Sequence, residues 1–185
     1  MKIVVETERL ILREFLLTDA EAFFEMDSNP EVHRYLGNKP IRTIDEAITV
    51  IKNIRQQYIA NGIGRWAAIE KLSGEFIGWS GLKFITEVEN NHINFYDVGY
   101  RLAPNYWGKG YATESGKAAL QYGFEQMDLK EIIGTANVEN TKSRRALEKC
   151  GLKFIEKFSY KEEIICDWLK ITKQEWENRK LPTEW

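Results

Sequence analysis

The stretch from Asp97 to Met127 constrains this chain more than any other, because it reads as a strand, a glycine-bearing turn and a helix in immediate succession. Asp97 to Leu102 (D-V-G-Y-R-L) is strand-like, and a helix runs from Tyr111 to Met127, directly after Gly108-Lys109-Gly110. A helix start leaves backbone N–H groups without intrahelical acceptors, and the aligned peptide dipoles add roughly half a positive charge there. Glycine admits φ > 0 and lets an anion approach those N–H groups without meeting a side chain. The turn therefore reads as an anion cradle, in the first instance for a pyrophosphate. Ala112, Gly116, Ala119, Leu120, Gly123, Phe124 and Met127 recur at helical spacing. They form an apolar stripe with small residues in it, as close docking on a sheet requires.

The turn lacks the G-x-x-x-x-G-K-[ST] spacing of a P-loop. Thr113 stands where a dinucleotide fingerprint needs Gly or Ala, and the flanking strands do not alternate as βαβ units. Lys109 has two readings, a phosphate contact or a solvated side chain.

Before this stretch, Arg9–Phe15 reads as a strand, and Ala20–Met26 as a short helix after Thr18-Asp19. Pro30–Leu36 adds a turn or two of helix. Thr43-Ile44-Asp45-Glu46 has capping-box form and starts a long helix that Asn61-Gly62 ends. Arg65–Glu70 and Phe76–Phe84 form an antiparallel hairpin across Leu72-Ser73-Gly74-Glu75, and Gly78 and Gly81 predict a bend or close backbone approach in it. Core packing is the favoured reading of Trp66 and Trp79 on this hairpin, with a wall of the substrate site as the alternative. A strand from Ile93 leads into the central stretch. Beyond it come a strand at Glu131–Ala136, a helix at Thr141–Cys150 stopped by Gly151, strands at Leu152–Tyr160 and Glu163–Thr172, and a short helix or tail at Gln174–Trp185. One α+β domain over residues 1–185, with a mixed, mostly antiparallel sheet, is the economical solution.

With 43% apolar and 29% charged residues and a net charge of −2, the chain has no basic excess for nucleic acid. No apolar run approaches the ~20 residues of a membrane span, and Lys2, Glu6, Glu8 and Arg9 interrupt any signal-peptide core. Cys150 and Cys166 read as reduced thiols of a cytoplasmic protein, and His33 and His92 are isolated, so no metal site is expected.

Asp97-Val98-Gly99-Tyr100-Arg101-Leu102 followed by Trp107-Gly108-Lys109-Gly110-Tyr111-Ala112-Thr113-Glu114 resembles the acetyl-CoA-binding motif of the GNAT N-acetyltransferase superfamily. Asn137, Asn140, Ser143 and Leu147-Glu148-Lys149-Cys150-Gly151-Leu152 resemble that superfamily's next motif. The opening Thr7-Glu8-Arg9-Leu10-Ile11-Leu12-Arg13 is similar to the RimJ/RimL ribosomal-protein N-acetyltransferase branch. The resemblance implies flanking helices and a splayed central strand pair. In the splay, pantetheine would pair with the Tyr100–Leu102 backbone, while the N–H groups from Gly108 to Ala112 hold the pyrophosphate. The superfamily commonly has Gln or Arg where Trp107 stands, but only backbone contact is needed there. Asn137, Asn140 and Ser143 would face the pantetheine and thioester end; cap chemistry is their alternative.

The implied chemistry is direct acetyl transfer from acetyl-CoA to a primary amine in a ternary complex. Asp97 is the candidate base, on one strand face with Gly99 and Arg101, opposite Val98, Tyr100 and Leu102. Its alternative is an ion pair with Arg101 or another cation. Glu162 and Glu163 are further base candidates. Leu147 stands where many members carry an acidic Tyr, which leaves the Ser143 hydroxyl as the candidate acid. Cys150 is expected to be structural. The expected acceptor is a protein N-terminal amine, with a polyamine or amine-bearing antibiotic, or a non-catalytic CoA-binding role, as alternatives; a homodimer is left open.

Overall fold

The computed structural model describes residues 2–160 and 164–179. Eight strands form one sheet in the order β1-β2-β3-β4-β5-β6-β8-β7. They are β1 (Ile3–Glu6), β2 (Leu10–Arg13), β3 (Trp66–Glu70), β4 (Phe76–Ile85), β5 (Phe95–Leu102), β6 (Glu131–Asn137), β7 (Lys153–Tyr160) and β8 (Ile164–Thr172). Neighbouring strands are antiparallel except β5 and β6, which run parallel across the helix between them, so the glycine turn does lie in one βαβ unit, contrary to the expectation. Helices α4 (Tyr111–Glu125) and α5 (Thr141–Cys150) cover one face, and α1 (Ala20–Asp27), α2 (Pro30–His33) and α3 (Ile44–Asn61) pack with the other; α6 (Lys173–Asn178) follows β8.

The helix limits follow from local chemistry. Thr43 accepts from the Glu46 N–H and opens α3, and Gly62 closes it in the left-handed conformation. Asn140 and Gly151 do the same for α5. The small-residue stripe of α4 lies on the sheet as its pattern requires: Ala119, Leu120 and Phe124 are buried with Leu82, Val98 and Ile132.

Several expected boundaries shift. The strand expected from Ile93 starts at Phe95, because Asn94 adopts φ +57° and Glu89 and His92 form a tight bridge just before it. The helix expected to reach Met127 stops at Glu125, where the Gln126 and Met127 N–H groups both turn back to the Tyr122 carbonyl. The first expected strand is shorter, and β1 precedes it unforeseen, pairing its half-exposed Ile3–Glu6 with β2 at the sheet edge. Of the expected C-terminal helix, Lys173–Asn178 is helical, and residues from 180 onward lie outside the described residues. Gly78 allows the predicted close approach: a Cβ there would stand 2.2 Å from the Arg101 carbonyl oxygen.

Candidate active site

The parallel pair β5–β6 opens almost as soon as it forms. Its only register partners are Asp97 and Ile133, although β5 continues to Leu102 and β6 to Asn137. On their other sides β5 is laddered to β4 over eight positions and β6 to β8 over seven, so the wedge is fixed from both flanks. The Ala103 N–H donates to the Ile77 carbonyl at 2.9 Å. By antiparallel alternation Arg101, Gly99 and Asp97 then bond β4, and the main-chain groups of Tyr100 and Leu102 face the wedge. The Leu102 carbonyl accepts the Trp107 indole N–H at 2.7 Å, so Trp107 acts through its side chain as well as its backbone.

At the open end of the wedge a 3₁₀ turn (Pro104–Tyr106) leads into the glycine turn. Gly108 and Gly110 have φ +74° and +86°, and Gly110 is the N-cap residue of α4 with no side-chain cap. The Glu114 N–H closes the first helical bond, onto the Gly110 carbonyl at 3.0 Å. The N–H groups of Tyr111, Ala112 and Thr113 precede that bond and have no intrahelical acceptor. Lys109 lays its Nζ 5.3 Å from the Tyr106 ring centroid, so its side chain rests on an aromatic ring beside the turn.

The second wall of the wedge is the start of α5. Asn140 Oδ1 accepts from the Ser143 N–H at 3.1 Å and caps the helix. Asn137 accepts from the Glu139 N–H at 2.9 Å and donates to the Tyr35 carbonyl at 3.4 Å, which ties the loop after α2 to β6. The Tyr100 hydroxyl crosses from β5 and donates to the Ser143 carbonyl at 2.7 Å, with the Ser143 hydroxyl 3.5 Å away. Burial pushes the Tyr100 phenol above its ordinary range. Beneath them Cys150 is buried, its Sγ 3.5 Å from the Thr113 carbonyl and its thiol pushed up to about 12 by burial.

Asp97 sits where the wedge closes, on the sheet face opposite Tyr100 and Ser143. It is ion-paired with Arg65, not Arg101; the two side chains are 15% and 11% exposed. Arg65 Nη1 also donates to the Asp97 carbonyl at 2.7 Å and to the Gly81 carbonyl. Burial pushes the Asp97 carboxyl above its ordinary value, against the pull of the guanidinium. Arg101 pairs instead with the buried Asp27, whose Oδ1 is 3.3 Å from His33 Nε2. Arg65 and Arg101 lie 5.4 and 5.2 Å from the Trp79 ring, so Trp79 is a half-buried platform between them, whereas Trp66 is fully in the core.

The structure thus brings Tyr100, Asn140 and Ser143 to one wall, sets Gly108–Thr113 at the open end, and leaves Asp97 at the closed end with the Arg101 side chain turned away. Glu162 and Glu163 lie outside the described residues. Sequence reasoning missed Arg65, Asp27 and His33, whose partners are far along the chain. It also missed the bond between Arg9 and Glu114, although both occur in stretches that the resemblance had marked out. Chemically, the arrangement can hold an anion on N–H groups and an extended chain along the wedge. Both fit acetyl-CoA: a Cβ on Gly108 would meet nothing within 4 Å, so the turn is open to a bulky phosphate group. Among the described residues no group of three His, Cys, Asp or Glu side chains is placed to hold a metal ion. No described helix is long and apolar enough to cross a membrane.

Comparison with known proteins agrees with this geometry. The family model described as an acetyltransferase (GNAT) domain matches residues 9–153. The uncharacterized N-acetyltransferase YoaA of Bacillus subtilis is 32% identical over 148 residues, covering 80% of this chain and 81% of that protein. The spermidine N(1)-acetyltransferase of Escherichia coli K12 is 28% identical, covering 76% and 70%. Among solved structures, a GNAT-family acetyltransferase from Bacillus anthracis superposes with a TM-score of 0.77 at 27% identity, covering 94% of this chain and 99% of that one.

Proposed function

Because the chain belongs to the GNAT acetyltransferase family, whose donor is acetyl-CoA, we propose that its acceptor is a primary amine of modest basicity, foremost the α-amine of a peptide or protein. The observation that carries this is the state of the two carboxylates paired with the arginines that flank Trp79: Asp97 is held by Arg65 and Asp27 by Arg101. Neither carboxylate is left free to bind a polycation. An α-amine with pKa near 7.8 is already about one-tenth neutral at pH 7, whereas a lysine-type amine near 10.4 is neutral in only about one molecule in a few thousand. The α-amine asks less of a base that is shared with Arg65.

In this reading the N–H groups from Gly108 to Thr113 hold the pyrophosphate, and the Tyr100 and Leu102 main chain holds the pantetheine arm. Acetyl-CoA supplies the thioester carbonyl that the amine attacks. Asp97 accepts the ammonium proton through its remaining oxygen or an intervening water; as the tetrahedral adduct collapses, Ser143 donates a proton to the departing sulfur and regains one from the amine nitrogen, which leaves as the neutral amide. Holding two substrates in one wedge supplies much of the acceleration. Transfer is direct, because Cys150 is buried and its raised pKa leaves almost no thiolate at neutral pH. Two buried free cysteines suit a reducing compartment, and the proposed location is the cytoplasm.

The test is CoA release in a panel of peptides with free N-termini, polyamines and aminoglycosides. Peptides with free N-termini should raise release above hydrolysis, and N-terminally blocked peptides should not. Activity confined to polyamines or aminoglycosides would overturn the α-amine assignment.

A further inference from the structure

Glu114, in the first turn of α4, is gripped by residues more than a hundred positions away. Thr7 Oγ1 donates to Glu114 Oε1 at 2.6 Å and the Arg9 backbone N–H donates to the same oxygen at 2.9 Å. Arg9 Nε and Nη2 take Oε2 at 2.7 and 2.6 Å. The Glu114 side chain is 17% exposed. Burial works to raise its carboxyl, but the bonds from Thr7 and Arg9 outweigh it and hold the group below its ordinary value.

Arg9 then reaches into the glycine turn itself. Its Nη1 donates to the Lys109 carbonyl at 2.9 Å, and its guanidinium lies 4.3 Å from the Tyr111 ring centroid. Its Nη2 stands 3.4 Å from where a Cβ on Gly110 would be. The segment carrying it is tied down in turn, with Lys71 Nζ donating to the Thr7 carbonyl at 2.7 Å.

Two consequences follow for an anion at this turn. In a trans peptide the C=O of Lys109 and the N–H of Gly110 point in opposite directions, so a carbonyl held by Arg9 turns the Gly110 N–H away from Arg9. An ionised carboxylate in the first helical turn suits the helix dipole but repels a phosphate seated there, unless a cation offsets it. Arg9 does both: it orients the peptide and neutralises Glu114.

We propose that Arg9 is a positioning residue for phosphate binding, one that makes the turn present N–H groups free of an uncompensated negative charge. This rests on the reading of Gly108–Thr113 as the pyrophosphate site of acetyl-CoA. Arg9→Ala should raise the acetyl-CoA Kd by about tenfold or more, the scale of one lost charge-assisted contact. Adding Glu114→Gln to Arg9→Ala should recover at least about threefold of that loss, since the amide keeps the shape and removes the charge. S-acetylpantetheine, which lacks the pyrophosphate, should react with kcat/KM unchanged within about twofold in both variants.

Calorimetric binding of acetyl-CoA, thiol release with each donor, and thermal melts make the comparison. If Arg9→Ala does not fold, Arg9→Lys carries the same test, with a smaller loss for acetyl-CoA and none for acetylpantetheine. Wild-type affinity in Arg9→Ala, equal losses for the two donors, or no recovery with Glu114→Gln would each overturn the assignment. A wild-type protein that fails to bind acetyl-CoA would instead overturn the site reading on which it stands.

Discussion

Replacing Asp97 by Asn removes one charge at the closed end of the wedge while keeping its shape and one acceptor oxygen. The Asp97 and Arg65 side chains are 15% and 11% exposed, so the pair is only lightly screened by solvent. Deleting one partner of a buried pair costs about 3–5 kcal/mol. Here Arg65 keeps the carbonyls of Gly81 and Asp97, and Asn still accepts, so the loss should be nearer about 2 kcal/mol, the scale of one hydrogen bond to a charged group. For a chain of this length that is a fall in Tm of about 4–8 °C. Catalytically, a positioned base contributes roughly 10²–10⁴-fold. Burial raises the Asp97 carboxyl against the pull of Arg65, so the loss in kcat/KM at pH 7 should be at least about 10². The acetyl-CoA Kd should stay within about twofold, because Asp97 lies on the sheet face opposite Tyr100 and Ser143. The loss should shrink as pH rises past about 8, where an α-amine deprotonates by itself, and should be greater for lysine-type amines. Thermal melts and kcat/KM profiles from pH 6 to 9 measure both effects. A variant that melts lower yet keeps wild-type kcat/KM at every pH would make Asp97 a strut for Arg65 and remove it from the chemistry.

Gly110→Val forces a β-branched residue to φ +86° and a Cβ to 3.4 Å from Arg9 Nη2; acetyl-CoA affinity should fall more than tenfold by calorimetry, and an unchanged Kd in a folded variant would contradict the cradle. Cys150→Ala should retain at least about half of the wild-type kcat and show no change in pre-steady-state burst, because transfer does not pass through that thiol; loss of an acylated intermediate detected by mass spectrometry would reverse this. Glu114 has a folded pKa held below its unfolded value, so its stabilisation is fully present above about pH 4.3 and is lost as pH falls through the folded pKa. The Tm difference between wild type and Glu114→Gln should therefore shrink from pH 6 to pH 3.5, and a constant difference would show that the carboxylate contributes nothing through its charge.

What was legible in the sequence is what short stretches of chain decide. Thr43 and Gly62, or Asn140 and Gly151, bound their helices because a cap acts over three or four residues. The glycine turn was legible for the same reason, since a strand, two φ > 0 positions and a helix start are written in consecutive residues. Trp79 does pack half-buried against the core, but its place between two arginines was not legible, because an aromatic residue on a strand says nothing about which arginines its neighbours in space will be.

The same division governs the site. Sequence alone determined a strand, two φ > 0 glycines and an uncapped helix start in succession and, through resemblance, the GNAT family. Only the tertiary structure decided that Asp97 would meet Arg65 rather than Arg101, that Arg101 would meet Asp27, and that Arg9 would fasten the first turn of α4. Those pairs are separated by 32, 74 and 105 residues, and strand order together with the docking of α1 and α4 on the sheet brings them together. Backbone conformation is a local property of consecutive residues, whereas the charge state and orientation of a side chain belong to whatever the packed sheet sets beside it.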